Sequence, residues 1–232
     1  MSNPKLTLQL KTMLVLQSNM NAVVFDDWKH RNFAWHRAIY VEAAEMLEHL
    51  GAWKWWKKGQ PDIAQAQIEL VDIWHFGLSM LLLSTDSAKA QPDDEDLELL
   101  VRSLDYLMAK ASHFPCATSE TWDLLTDQRH NRIDQLIANA AKGSFDLEAF
   151  IQLIPLLGMD YDMLYRMYVG KNMLNVFRQK NGYKTGSYVK IWAGREDNQH
   201  LEELLNELPS DDPLPDTLLQ ALQSRYVELT KR

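Results

Sequence analysis

The chain has 232 residues, is 46% hydrophobic and 24% charged, and carries a net charge of −8. That size and balance describe a globular chain able to bury a sizeable core. The negative charge argues against a general binder of nucleic acid or membrane surfaces. One cysteine, Cys116, excludes an intrachain disulfide and a cysteine-rich zinc site.

The chain opens M-S-N-P-K-L-T-L-Q-L-K, without the apolar core of a signal peptide, and no apolar run reaches transmembrane length. A cytoplasmic location is therefore expected. Residues 6–24 read as an amphipathic helix through Leu6, Leu10, Met13, Leu14 and Met20, with the amides Gln17, Asn19 and Asn21 in its last turns. Those amides suit a fraying helix end, or a pocket in which an amide pairs with both donors and acceptors of a base. Asp26 and Asp27 precede a second predicted helix over 28–50, with Ile39, Ala43, Met46, Leu47 and Leu50 as its apolar stripe. A connector with Gly51, Gly59, Pro61 and the run W-K-W-W-K-K leads into a third predicted helix over 63–83.

The acids of these two helices stand out. Glu42 and Glu45 are three apart, as are Glu69 and Asp72, so each pair projects from one side of its helix. Antiparallel packing across the short connector brings the pairs together. The third helix is apolar in nearly every direction and should be central and buried. Ionised carboxylates are costly there, and four converging ones repel. A hard divalent cation resolves both problems, and Mg2+ prefers oxygen ligands completed by water and phosphate. Read alone, an acidic pair at this spacing is more often a solvated surface feature. His75, three residues beyond Asp72, faces the same side of its helix.

Residues 84–96 form a polar break, followed by predicted helices over 97–112 and 120–142, with Phe114–Pro115 between them. Residues 145–169 carry a helical apolar pattern that Pro155 and Gly158 divide. No β-period alternation of useful length and no internal repeat occurs, so the fold class is all-α. In 171–198, Lys171, Asn175 and Arg178 share one helical face, and Asn181–Gly182 ends that helix. With Lys180, Lys184, Lys190 and Arg195 this is a concentrated positive region in an acidic chain, fit either for solvent or for clamping polyphosphate. It is not a Walker loop, since no G-x-x-x-x-G-K-[ST] occurs. A helical tail follows, with a linker over 209–215.

Together these stretches resemble the all-α, dimeric dUTP diphosphatases, within the wider all-α nucleoside triphosphate pyrophosphohydrolases. The resemblance is carried by Gln17 to Asn21, E-A-A-E, W-K-W-W-K, E-L-V-D-I-W-H, K-N-M-L-N-V-F-R-Q-K-N-G-Y and Y-V-K-I-W-A-G-R-E-D-N. It implies a multi-helix bundle with a four-helix catalytic core, in which Glu42, Glu45, Glu69 and Asp72 hold Mg2+ and Glu45 is the candidate base. Lys171, Asn175, Arg178, Tyr183 and Lys190 would grip the phosphates, while Gln17, Asn21, Trp55 and His75 would line the uracil site. The implied reaction takes dUTP, and also dUDP, to dUMP in a homodimer. Residues 1–232 would form one domain with a rigid metal-binding part and a mobile phosphate-gripping part, without nucleic-acid or membrane partners.

Competing readings are a related pyrophosphohydrolase for another base, a di-iron carboxylate bundle and a non-catalytic helical binding module. The di-iron bundle needs Glu-x-x-His on two helices; the nearest spacing here is Asp72 to His75.

Overall fold

Helix α3 (Ile63–Leu82) is the axis of the fold, and Ala66, Leu70, Ile73, Trp74, Leu78 and Leu82 along it have no exposed surface. The computed structural model describes residues 3–57, 59–85, 92–111, 122–208 and 214–230. Cys116, Phe114–Pro115 and Lys58 lie outside the described residues. Within them the remaining helices are α1 (Pro4–Val24), α2 (Trp35–Leu50), α4 (Asp94–Ala111), α5 (Trp122–Ala141), α6 (Leu147–Leu156), α7 (Tyr161–Lys180), α8 (Asp197–Glu207) and α9 (Leu214–Thr230). The only strands among the described residues are β1 (Ile191–Trp192) and β2 (Arg195–Glu196), an antiparallel pair turned by Ala193 and Gly194, both at positive φ. The fold is all-α, as the patterning indicates. No helix of the described residues is long and apolar enough to cross a membrane.

Local chemistry sets the helix ends. Asn3 Oδ1 accepts the backbone N–H groups of Lys5 and Leu6, with Pro4 in the first turn of α1. Asp62, Asp146 and Asp160 cap α3, α6 and α7 by accepting the N–H groups of Gln65, Ala149 and Met163. Gly51 ends α2 at φ 62°, its N–H bonded to Leu47 O. Asp62 N–H then donates to His49 O (2.9 Å), so α3 starts beside the last turn of α2 and the two run antiparallel.

One boundary departs from the sequence pattern. The second helix begins at Trp35 rather than near residue 28, because Trp28–His30 form a 3-10 turn and Asn32 adopts φ 49°. Asparagine tolerates that conformation. The turn lets Trp28 bury almost completely and meet Trp35 edge to face, with Phe33 against Trp35. Aromatic packing thus overrides helix continuation. Conversely, the patterns at 145–169 and 171–181 belong to α6 and one long α7.

Helix α3 packs against α1, α2, α6 and α7, while α1 also meets α4, and α5 joins α2 to α6. Trp74 stacks on Phe150 at 4.7 Å between ring centres. Behind α7, Phe177, Tyr188, Trp192 and Tyr226 form an aromatic cluster that fastens the β-turn and α9. The acids of α2 and α3 and the cations of α7 consequently converge from different sides of the axis.

Candidate active site

Glu42 from α2 and Glu69 and Asp72 from α3 each offer an oxygen, and these oxygens lie within 4.8 Å of one another. The antiparallel α2/α3 pair creates this convergence: the apolar faces dictate the packing, and the acids bordering them are carried inward. Burial, and then the charges of Asp72 and Glu69, push the Glu42 carboxyl up to about 7. Burial and the charge of Asp72 likewise raise Glu69, and burial raises Asp72. Glu45 is exposed and stands outside the group of three, although its charge is felt by all of them.

Two basic groups face these acids. Lys171 Nζ lies 2.8 Å from Asp72 Oδ2, and His49 Nε2 lies 3.3 Å from Glu69 Oε1. The donors are all hard oxygens, and burial, with their mutual repulsion, disfavours their charged forms. A divalent cation such as Mg2+ fits such a cluster.

Lys171, Asn175 and Arg178 line one face of α7. Arg178 binds Asp197 through two hydrogen bonds of 2.8 Å, from Nε and from Nη2, and Nη1 approaches Asn175 Oδ1 at 3.3 Å. Asp197 is fully buried. Burial alone would raise its carboxyl; hydrogen bonds from Arg178 and Tyr188, with the Arg178 charge, hold it below the usual carboxylate value. Tyr188 is pushed up by burial and by Asp197. Lys190 pairs with Glu196 at 3.1 Å, and Tyr183 is exposed beside Tyr188. Gly182, at φ 90°, lets the chain turn out of α7, since a Cβ there would meet Ser187 Oγ at 2.0 Å.

Gln17, Asn21 and His75 come together in a buried polar cluster between α1, α3 and α7. His75 Nδ1 lies 2.8 Å from Gln17 Oε1, and Gln17 Nε2 donates to Asn21 Oδ1 (2.9 Å). Burial, and secondarily the charge of Lys171, lower His75 to about 3, so the ring is neutral. His75 lies in this amide cluster and not in the acid group. Trp55 stands apart: it is 89% exposed, and its ring meets Trp56 edge to face.

Several members of this site do not emerge from the sequence pattern. Ser79, Tyr168 and Asn172 complete the amide cluster, Asp197 orients Arg178, and His49 faces Glu69. The usable signal was spacing: Ser79 follows His75 by one turn on an otherwise apolar helix, as Asn172 follows Tyr168 on α7.

Residues 9–183 match a family model described as dUTPase. No curated protein matches the chain.

Proposed function

Since the chain belongs to the all-α dUTPase family, and is a dUTP diphosphatase on that ground, we propose that it hydrolyses dUTP to dUMP and pyrophosphate in a Mg2+-dependent reaction at the acid cluster. The convergence of Glu42, Glu69 and Asp72 oxygens within 4.8 Å carries this reading. Those three residues, with Glu45, would hold Mg2+, which when bound neutralises phosphate charge and lowers the pKa of water.

The chain's own groups do the rest. Glu45, exposed at the edge of the cluster, accepts the proton of the attacking water. Attack at the α-phosphorus breaks its bond to the bridging oxygen, and pyrophosphate leaves. Lys171, Asn175, Arg178, Tyr183 and Lys190 hold the phosphate oxygens, Arg178 by the edge that Asp197 leaves free. Gln17, Asn21 and His75 read the uracil, with Trp55 as a ring neighbour. The acid cluster is the fixed pole and residues 171–198 the moving one. The same reading includes dUDP as a second substrate, a homodimer and a cytoplasmic location.

Pyrophosphate release across the four canonical deoxynucleoside triphosphates and dUTP, with Mg2+ and with EDTA, tests the proposal. Turnover of dUTP that persists in EDTA, or a preference for another base, overturns it. Sedimentation of the purified protein tests the dimer.

A further inference from the structure

We propose that Ser79 is a positioning residue for base specificity: it orients the Gln17 and Asn21 amides so that His75 is held with hydrogen on Nδ1, leaving Nε2 to accept the N3–H of uracil. The inference rests on the base-site reading above and deepens it by naming the hydrogen-bond polarity of that site and the residue that sets it.

The argument begins with one hydroxyl. Ser79 has no exposed surface, and its Oγ has three polar neighbours: Gln17 Nε2 at 3.1 Å, Asn21 Nδ2 at 3.0 Å and the His75 carbonyl at 3.0 Å. A hydroxyl carries one hydrogen and two lone pairs. The hydrogen goes to the carbonyl, which can only accept. The two lone pairs then require N–H donors, so both amides turn their nitrogens toward Ser79. Reversing either amide would set an oxygen against a hydroxyl that has no second hydrogen to give. The same orientation lets Gln17 Nε2 donate to Asn21 Oδ1 at 2.9 Å.

With its nitrogen committed, Gln17 turns Oε1 to the opposite side. There it meets His75 Nδ1 at 2.8 Å and the Tyr168 hydroxyl at 2.9 Å. An amide oxygen only accepts, so Nδ1 carries the ring hydrogen and Nε2 of the neutral ring carries a lone pair. Tyr168 stacks on the imidazole with ring centres 4.3 Å apart and so fixes its plane. His75 is 8% exposed, and Nε2 is buried with no hydrogen-bond partner. A buried acceptor left open calls for a donor.

Uracil and thymine present N3–H as that donor. Cytosine presents a lone pair at the same position and would face Nε2 with no hydrogen between them. A His75 fixed in this tautomer therefore separates uracil from cytosine. It does not separate uracil from thymine, which differ at C5.

The test has two readouts. Long-range 1H–15N spectra of the histidine rings, with the His75 signals assigned from a His75→Asn protein, are expected to show a pure Nδ1–H ring in the wild type. In Ser79→Ala the ring should become a mixture of tautomers. The dUTP to dCTP ratio of kcat/KM should fall about tenfold, the loss of one hydrogen bond's discrimination. The dUTP to dTTP ratio should hold. An Nε2–H ring in the wild type overturns the inference, and that spectrum decides even where Ser79→Ala does not fold. An unchanged ring spectrum and unchanged dUTP to dCTP ratio in Ser79→Ala also overturn it. If the wild-type ring is Nδ1–H but dUTP is not hydrolysed, the functional reading falls while the tautomer lock stands.

Discussion

Lys171 Nζ rests 2.8 Å from Asp72 Oδ2, joining a side chain expected to grip phosphate to one expected to hold the metal. Burial raises the Asp72 carboxyl and Lys171 pulls it back, so the ammonium supplies part of the positive charge that the acids lack. A divalent cation competes with it for the same carboxylate. Lys171→Met is therefore expected to tighten Mn2+ binding to the nucleotide-free protein by about tenfold, through removal of a neighbouring charge, while weakening nucleotide binding. Calorimetric titration with Mn2+ alone and then with dUMP plus Mn2+ checks both. Weaker Mn2+ binding in the variant would exclude the competition.

The roles of Glu45 and Asp72 should separate. Glu45 is exposed and lies outside the tight group, whereas Asp72 is one of its three members. Glu45→Gln is expected to lose at least about a hundredfold in kcat, the scale of lost general-base catalysis, while still binding Mn2+. Asp72→Ala is expected to abolish turnover and Mn2+ binding together, with helical content intact. Equal metal loss in both variants would place Glu45 among the tight ligands instead.

Arg178 and Asp197 tie the phosphate face of α7 to the start of α8. Removing either member of a buried pair leaves the other uncompensated, at a cost of about 3–5 kcal/mol. Asp197→Ala should therefore lower stability at pH 7 by that order and also raise KM for dUTP. The pH dependence has a definite sign. The Asp197 carboxyl is held below its ordinary value of 3.8 in the folded chain, so its contribution is complete above that value and disappears as pH falls through the lower folded value. Urea denaturation at pH 7 and at acid pH should show the wild-type advantage shrinking only in acid. A gap that is constant with pH would assign the stability to packing rather than to charge.

Gly77 lets Phe145 lie directly on α3: a Cβ there would sit 2.5 Å from Phe145 Cε1. Gly77→Ala is expected to cost about 1–3 kcal/mol by overpacking, read as a lower Tm. An unchanged or higher Tm would show that Phe145 yields freely.

The sequence made the helices and the acid pairs legible for a simple reason. Helical periodicity carries Glu42, Glu69 and Asp72 on defined faces, and a short connector forces those faces together. Partners brought in by tertiary packing left no such trace. Trp28 and Phe33 interrupt a pattern that reads as helix, because their burial depends on Trp35 and distant chain. Asp197 read as part of a motif, but its bond to Arg178 depends on how the β-turn folds back. Ser79 is a small residue in a largely apolar helix, and its meaning appears only when α1 supplies two amides to the same hydroxyl.

The family match stops at residue 183, yet the carboxylate that aims Arg178 and the phenol that steadies it come from downstream, at Asp197 and Tyr188. Surveys of kindred chains that score only the shared segment would miss half of this device. A homologue keeping the arginine but lacking an acid beyond it would carry a swivelling guanidinium. Inheritance of a working phosphate grip is therefore best judged on both sides of that border.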